Sequence, residues 1–320
     1  MKRFFPILII LMLCASCNRI KPDPAVLAKE QAQRDSLALK VAVMPTLDCL
    51  PLFYAEKCGI FDSLGLDVRL TKYMAQMDCD TAVINGRTDV AYSDLIRAAL
   101  MQSKGTGLYA IMPADGYHEL VTIKSKRMRT PAHLKERMIA MARHSITDLL
   151  LDTIIQQNKL DAGCIYHPQI NDINLRCNML LNGTIDAAFL PEPYATQARA
   201  AGHKSIYSSQ KQHIQLMTFI AASKAVGDKR KKQQIELLVK GYNQAVGAIN
   251  QKKKQDSVVH ILNSYPLETA TIDTLKLPQF KPTHSFDNQQ VATAIRFLRK
   301  RALITNQYKG DTLISTLFIK

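Results

Sequence analysis

The sequence predicts an α/β protein of two lobes, which two crossing segments join. Short apolar strands alternate with helical segments along most of the chain. Several strands end in polar turns, and in a parallel sheet such turns gather along one edge. The strands fall into two groups, so we expect the chain to leave the first lobe near residue 118 and to return to it near residue 216.

The unit that opens this fold covers residues 40–73, where the pattern predicts strand, polar turn, helix and strand. Residues 40–43 are rich in β-branched side chains and contain no breaker, as in a buried strand. Asp48 ends the following turn and is a candidate to cap a helix over residues 50–58. Residues 66–70 alternate apolar and charged side chains, as in a second strand. In such a unit, the turn after the first strand faces the crevice where ligands bind.

Strands and helices continue to alternate through the rest of the chain, and several helices end at a glycine. Further strands are predicted at residues 88–92, 107–112, 119–125, 138–142, 165–168, 185–190, 204–207 and 217–222. Helices are predicted at residues 80–85, 93–101, 146–158, 172–181, 195–200, 234–250, 255–262 and 288–300, with a short one from residue 130.

Several short segments follow one another in a specific order. They are Met44-Pro-Thr-Leu-Asp48, Ala55-Glu-Lys-x-Gly-Ile-Phe61, Gly65-Leu-Asp-Val68, Thr130-Pro-Ala-His-Leu-Lys-Glu-Arg-Met-Ile-Ala140 and Gly183-Thr-Ile-Asp-Ala-Ala-Phe-Leu-Pro-Glu-Pro-Tyr-Ala195. In this order the chain resembles the solute-binding proteins of ABC importers for sulfonates, nitrate, taurine and the pyrimidine precursor of thiamine. The resemblance covers roughly residues 39–320. It departs at Ala302, where the family has the glycine of a closing Gly-Leu-Ile.

The resemblance implies a periplasmic binding protein type II fold that captures a small-molecule solute between its lobes. We expect lobe one to comprise residues 39–118 with 217–320, and lobe two to comprise residues 119–216. The partners implied are an ABC permease and its ATPase. We expect the protein to act as a monomer without a cofactor.

The amino-terminal residues indicate export as a lipoprotein. Two basic residues precede an apolar run at residues 4–13, and small residues stand directly before Cys17. We expect residues 1–17 to be the signal peptide up to the acylated Cys17, and residues 18–38 to be a tether. The match departs at Cys14, where leucine is usual, and an ordinary secretory signal is the alternative. The prediction is a protein of the cell envelope, anchored on a periplasmic or extracytoplasmic face.

The candidate ligand-binding residues stand at strand ends and helix starts. They are Thr46, Leu47, Asp48, Tyr92, Ser93, Asp94, Pro113, Asp115, Ser145, Ile146, Thr147 and Glu192. For Asp48, Asp94 and Ser145, a role as helix caps alone is the alternative. Glu192 is open to an interpretation as a first-turn charge that the helix dipole favours.

Carboxylates outnumber positive groups among these positions. Asp148 adds a further acid in the first turn after Ser145, and only Arg143 and His144 offer positive charge nearby. We therefore expect a neutral or nitrogen-rich ligand, such as a thiamine-precursor-like pyrimidine, rather than sulfonate, taurine or nitrate. Such a heterocycle donates hydrogen bonds to ionised acceptors.

The formal net charge of +15 does not indicate nucleic-acid binding. The basic clusters at residues 124–129, 229–232 and 252–254 are separate and have no interleaved aromatic side chains. Solvated surfaces that lie near anionic lipid headgroups explain these basic clusters better than nucleic-acid binding does. No apolar segment after residue 17 is long enough to span a bilayer.

We predict that the protein is not an enzyme. The eight histidines are scattered, and no nucleophile elbow, phosphate loop or dinucleotide fingerprint is present. The seven cysteines lack the spacing of metal ligands, so no metal is predicted. Cys49, Cys58 and Cys79 fit small core positions, and a disulfide in an oxidising compartment is the alternative. The rival hypothesis is an enzyme of the thiamine or menaquinone biosynthesis type, which uses a similar fold in the cytosol. A lipid-anchored adhesion or scaffold module is a third hypothesis.

Overall fold

The structure is a computed structural model that describes residues 35–319. The predicted signal peptide, Cys17 and nearly all of the predicted tether lie outside these residues. The chain divides into a short unit, Met1–Leu37, and a main unit, Ala38–Lys320, and all that follows concerns the main unit.

The main unit alternates strands and helices, as the sequence predicts. The strands are β1 (Leu39–Val43), β2 (Val68–Lys72), β3 (Val90–Asp94), β4 (Leu108–Pro113), β5 (His118–Thr122), β6 (Ile139–Ala140), β7 (Ala187–Pro191), β8 (Lys204–Ser208) and β9 (Met217–Ala222). The α-helices are α1 (Leu50–Lys57), α2 (Ile60–Ser63), α3 (Gln76–Ile84), α4 (Leu95–Ser103), α5 (Ile146–Gln157), α6 (Ile173–Leu181), α7 (Tyr194–Ala200), α8 (Ser223–Gly227), α9 (Lys229–Asn250), α10 (Gln255–Asn263), α11 (Thr269–Thr274) and α12 (Asn288–Lys300). Short 3₁₀ helices lie at Lys124–Lys126, Pro131–Leu134 and Ala162–Cys164.

Two sheets organise these elements, which confirms the α/β fold class. The first sheet has the order β2-β1-β3-β9-β4, and the second has the order β6-β7-β5-β8. In the first sheet β1, β2 and β3 are parallel and β9 is antiparallel to its neighbours. The chain passes to the second sheet between β4 and β5 and returns between β8 and β9. The carboxyl ends of β1 and β3 therefore lie on one edge of the first sheet, as predicted from the polar turns that follow these strands.

The long helix α9 shows how sequence pattern becomes packing. Its apolar residues at helical spacing are buried, and the helix packs against α1 and α2. Gly241 faces Phe61 so closely that a side chain at this position would clash with the ring. Asp228 begins the helix by accepting a 2.8 Å hydrogen bond from the amide of Lys231. The apolar spacing thus determines which face of the helix is buried, the Asp228 cap determines where the helix begins, and Gly241 allows it to pack closely against Phe61.

The predicted strand at residues 165–168 is wrong. The segment forms only isolated bridges, from Met138 to Tyr166 and from Met141 to Gln169. Tyr166 is largely exposed, and Pro168 has no amide hydrogen to donate, so a continuous ladder cannot form there. Helix α11 was not predicted, because its six residues include a single large apolar side chain, Ile272, and so carry no helical apolar stripe.

Candidate functional site

Most of the predicted binding residues meet between the two sheets, where they line two neighbouring cavities. The wide cavity, about 60 Å³, includes Leu47, Asp48, Asp115 and Glu192 in its lining. The narrow cavity, about 20 Å³, includes Thr46, Tyr92, Ser145 and Thr147. The other predicted residues, Ser93, Asp94, Pro113 and Ile146, line neither cavity.

Asp48 does not cap α1, which corrects one of the two roles considered for it. The N-cap of α1 is Cys49, whose side chain makes no capping bond. The Asp48 carboxylate instead accepts a 2.5 Å hydrogen bond from the hydroxyl of Tyr92. Burial raises the pKa of Asp48, and no Lys, Arg or His in residues 35–319 forms an ion pair with it. A 94 % buried carboxylate without a cationic partner is unusual, because desolvation disfavours its charge.

Asp94 caps α4, which is the alternative role that the sequence offered for it, and it also contacts the start of α5. One carboxylate oxygen accepts from the amide of Arg97 at 2.9 Å. The other accepts from the side chain of Gln76 at 2.8 Å and from the amide of Ile146 at 3.2 Å. Since Ile146 begins α5, one fully buried carboxylate holds the amino ends of two helices. Ser93 turns away from both cavities and donates to Asp80 at 2.6 Å.

Ser145 and Thr147 form a small hydroxyl cluster at the start of α5. The Ser145 hydroxyl accepts from the amide of Thr147 at 3.2 Å, which confirms its capping role. It also donates to the carbonyl of Ala142 at 2.7 Å. Asp148 in the same turn accepts from the amide of His144 at 2.8 Å. Both residues of the cluster are buried and belong to the lining of the narrow cavity.

Glu192 and Asp115 are the other two carboxylates of the wide cavity, and both have positive neighbours. Glu192 accepts from Arg199 at 2.6 Å and from the amide of Thr196 at 3.0 Å. Asp115 lies 3.3 Å from the ring of His284 and 4.0 Å from the ammonium of Lys281. Asp48 is therefore the carboxylate of this cavity whose charge has no cationic partner within residues 35–319.

Other residues that line the cavities were not predicted. In the wide cavity these include Gly116, Tyr117, Tyr242, Phe280 and Lys281, and in the narrow cavity Gln76, Arg97, His118, Asn171 and Arg176. Gly116 ends the polar turn predicted at residues 113–116 and Tyr117 follows it, so the strand end was an available signal. Arg176 sits within a helix pattern, where a charged residue normally faces solvent.

Direct contacts join the two sheets around the cavities. The amide of Leu47 donates to the carbonyl of Glu192 at 3.0 Å, and the amide of Ile173 donates to Met74 at 3.0 Å. Arg301 of the final helix end pairs with Asp148 and Asp152 of α5 at 3.2 and 2.6 Å. These contacts bring segments next to the two sheets together beside the cavities, and both cavities are small.

The described residues contain no group of three or more His, Cys, Asp or Glu side chains that could hold a metal ion. Their five cysteines are free thiols. None of the helices between residues 35 and 319 is long and apolar enough to cross a membrane.

Comparison with known families identifies the chain. Residues 46–255 match the family described as NMT1/THI5 like, which is more than half of the sequence. The chain belongs to this family. The match confirms the family resemblance recognised in the sequence. A direct comparison with curated protein sequences gave no match.

Solved structures share the fold of this NMT1/THI5-like chain. The ligand-binding component of an ABC-type import system from Staphylococcus aureus, with zinc bound, has a TM-score of 0.73 at 14% identity. The alignment covers 88% of this chain and 97% of that one. The alkanesulfonate-binding protein SsuA from Xanthomonas axonopodis, bound to MOPS, has a TM-score of 0.72 at 15% identity, covering 88% and 97%. These likenesses show a periplasmic binding protein type II fold.

An enzyme also shares this fold. The desulfurization enzyme DSZB has a TM-score of 0.62 at 14% identity, with 87% of this chain and 96% of that chain covered. At such identity the likeness concerns the fold alone. The fold therefore serves both binding and catalysis, and the NMT1/THI5-like chain must be judged on its own site residues.

Proposed function

We propose that this chain is the solute-binding protein of an ABC importer, which captures a small organic solute between two lobes. Lobe one comprises residues 39–118 with 217–320, and lobe two comprises residues 119–216. The proposal is supported by the family, by the fold, and by the two cavities between the sheets. Its partners are a permease and its ATPase, which respond to the closed, loaded form.

The observation that carries the proposal is the Asp48 carboxylate at the wide cavity. It is 6% exposed, has a neutral hydroxyl as its hydrogen-bond donor, and has no cationic partner within residues 35–319. A solute with N–H donors supplies what this buried acceptor lacks. A nitrogen-rich ligand donates hydrogen bonds to the Asp48 carboxylate, whereas a sulfonate or nitrate group only accepts them. The site therefore favours the nitrogen-rich ligand.

The walls of the wide cavity favour a planar ligand. Three aromatic side chains, Tyr117, Tyr242 and Phe280, contribute to the lining. Aromatic rings stack on the faces of flat heterocycles and attract positively charged groups. We therefore favour an aminopyrimidine of the thiamine-precursor type over sulfonate, taurine or nitrate.

An enzyme on the same fold is the second candidate, and the likeness to DSZB favours it. Catalysis would require an activated nucleophile or a base within reach of a substrate. The Ser145 hydroxyl donates to a backbone carbonyl and caps α5, so it has no base partner. Incubation with an aminopyrimidine, followed by mass spectrometry of the small molecule, distinguishes the candidates: a binding protein returns it unchanged.

We also propose that the protein is held at the membrane by an acylated Cys17, on a periplasmic or extracytoplasmic face, and acts as a monomer. The support is the basic start, the apolar run and the small residues before Cys17. These residues lie outside the described part of the chain.

Native mass spectrometry and X-ray scattering test the capture of a solute. Protein purified without denaturation should carry a small molecule, which tandem mass spectrometry identifies. Scattering should give a smaller radius of gyration for the loaded protein than for the same protein after the solute is removed. An unchanged radius at saturation contradicts capture by lobe closure.

A further inference from the structure

The edge of the first sheet that lies opposite the cleft carries a concentration of positive charge. β1 and β3 end at the cleft, so their amino ends lie at this opposite edge, and the antiparallel β9 ends there as well. The segments that lead into β3 and out of β9 therefore meet at this edge. Their exposed cations are Arg87, Lys224, Lys229 and Arg230, with Lys232 partly exposed beside them. We call these five residues the basic edge.

Two carboxylates stand among these segments, and both have other partners. Asp89 pairs with Lys231 at 2.8 Å and accepts from the amide of Lys40 at 2.9 Å. Asp228 caps α9 by accepting from the amide of Lys231 at 2.8 Å. No residue of the basic edge forms an ion pair with a carboxylate of residues 35–319. The positive charge of the basic edge is therefore not neutralised within this part of the chain.

The start of α9 places cations where the electrostatics of a helix disfavours them. The first four positions of the helix, residues 229–232, are all Lys or Arg, and no acidic residue stands in the first turn. The amino end of a helix carries partial positive charge, so acidic side chains stabilise it and basic side chains oppose it. A sequence that breaks a local rule in this way is typical of a surface that serves function rather than folding.

The basic edge lies where the chain enters the main unit. The ammonium of Lys231 donates to the carbonyl of Ala38 at 2.6 Å and to Asp89 at 2.8 Å, so the first turn of α9 adjoins Ala38. Under the proposed lipid anchor, the 20 residues between Cys17 and Ala38 span at most about 70 Å. The covalent chain thus keeps the basic edge within reach of the bilayer.

An exposed apolar side chain accompanies these charges. α3 runs from the carboxyl end of β2 to the amino end of β3, so its last residue, Ile84, lies at the same edge and is 48% exposed. Surfaces that bind bilayers combine basic residues, which attract anionic headgroups, with apolar side chains that enter the headgroup layer. Residues 84–89 and 222–232 contain no aromatic side chain on which a nucleic-acid base could stack.

We infer that the basic edge is a docking surface for a bilayer with anionic headgroups. Lipid phosphates supply the negative charge that the protein does not provide there, and Ile84 contacts the headgroup layer. The carboxyl ends of β1 and β3 lie at the opposite edge of the sheet, so the docked protein holds its cleft away from the bilayer. The inference rests on the proposed lipid anchor for proximity to the bilayer, and it does not depend on the identity of the solute.

Vesicle binding by the full chain with Cys17→Ser tests the inference without a contribution from acylation. The measured quantity is the affinity for vesicles of phosphatidylcholine with about one third phosphatidylglycerol, relative to phosphatidylcholine alone. The combined change Lys229→Gln and Arg230→Gln should lower this ratio about 10- to 50-fold, because each basic residue near an anionic surface contributes about fivefold. About 1 M salt should abolish the preference for anionic vesicles, because the Debye length falls to about 3 Å.

The combined change Lys252→Gln and Lys253→Gln is the matched control. It removes the same charge from two exposed residues just beyond the other end of α9, a helix of 22 residues that is about 33 Å long. The control should keep the ratio within about threefold of wild type, since charges more than about 8 Å from the bilayer are screened. Equal losses in the two double variants overturn the inference, because net charge alone then determines binding.

Hydrogen exchange tests the orientation of the docked protein. Backbone amides of residues 84–89 and 223–228 should exchange more slowly on anionic vesicles than on phosphatidylcholine vesicles, because the bilayer covers them. Amides of residues 113–117, at the cleft, should exchange at the same rate on both. Protection of residues 113–117 without protection of the basic edge overturns the inference.

Nucleic acid is the other anionic partner to test. A DNA duplex whose affinity falls in the Lys229 and Arg230 variant, while vesicle binding stays unchanged, overturns the inference. Calorimetry with an aminopyrimidine and fractionation of Cys17→Ser report on the proposed function separately. Failure of either leaves the vesicle result standing, and equal losses in the two double variants leave the proposed function unchanged.

Discussion

The Tyr92 hydroxyl donates a 2.5 Å hydrogen bond to the Asp48 carboxylate and so joins the ends of β1 and β3 inside the cleft. Backbone from a third strand end closes over the pair, because Gly116 leaves no room for a side chain beside Asp48. Asp48 is held in one position by this contact and this hydrogen bond. A preorganised acceptor of this kind lowers the cost of binding a ligand that donates to it.

Gly116→Ala tests this arrangement. The new Cβ would clash with the Asp48 carboxylate and lie 3.1 Å from Met217, so the carboxylate must move. We expect a loss of about 1–3 kcal/mol in the free energy of unfolding, as for overpacking, and weaker aminopyrimidine binding. Gly247→Ala is the matched control, since nothing lies within 4 Å of a Cβ added there in α9. Equal denaturant midpoints for Gly116→Ala and the control contradict the close approach.

Arg301→Gln tests the contact that joins the two sheets outside the cavities. The side chain pairs with Asp148 and Asp152 of α5, and it is itself 40% exposed, so solvent screens the interaction. We expect it to stabilise the closed cleft by about 0.2–1 kcal/mol. The variant should show a larger radius of gyration without ligand, whereas Arg296→Gln, an exposed residue of α12, should match the wild type. No difference between the two variants contradicts a role in closure.

His118 should make the fold less stable in mild acid. The pKa of His118 is about 3 in the folded protein, because of burial and then Arg176, against an ordinary value of 6.5. As pH falls below 6.5, the unfolded chain takes up a proton that the folded protein does not, so the unfolded state gains stability. We expect this residue to remove about 2 kcal/mol of stability between pH 7 and pH 5.

The comparison with His118→Gln isolates this effect from other groups that titrate. Chemical unfolding at both pH values should show a smaller loss in His118→Gln than in the wild type. His260→Gln replaces an exposed histidine and should behave as the wild type. An identical loss in all three proteins contradicts the account of His118.

Cys17→Ser tests the predicted lipid anchor. Removal of the thiol removes the acylation site, so the protein should move from the membrane to the soluble fraction on cell fractionation. Cys58→Ser, which keeps Cys17, should remain in the membrane fraction. Retention of Cys17→Ser in membranes washed with high salt shows that the anchor assignment is wrong.

The sequence predicted the alternation of strands and helices well, because period and turn residues are local properties. The sequence also predicted that strand ends converge on one edge and form the ligand site. Four of the residues named for that reason line the cavities between the sheets: Asp48, Tyr92, Ser145 and Glu192. The capping role considered for Asp48 was wrong. Its carboxylate binds the Tyr92 hydroxyl instead of the helix amides, and local sequence patterns do not reveal a partner 44 residues away.

Other parts of the site have no local signal. Phe280 and Lys281 reach the wide cavity from a segment without regular structure, so no periodicity marks them. Arg176 occupies a position in α6 that a helical pattern cannot distinguish from a solvent-facing one. Its burial depends on how α6 packs against β7, a contact that depends on the tertiary fold.

Calorimetry with the wild type and Asp48→Asn is the most direct test of the central claim that a nitrogen-rich solute binds at Asp48. A thiamine-precursor aminopyrimidine should bind one molecule per chain, and ethanesulfonate, which has no N–H donor, should not bind. Asp48→Asn should weaken pyrimidine binding by about 1–3 kcal/mol, because an ionised acceptor of its hydrogen bond is lost. Tight binding of ethanesulfonate without any response to the pyrimidine would contradict the claim.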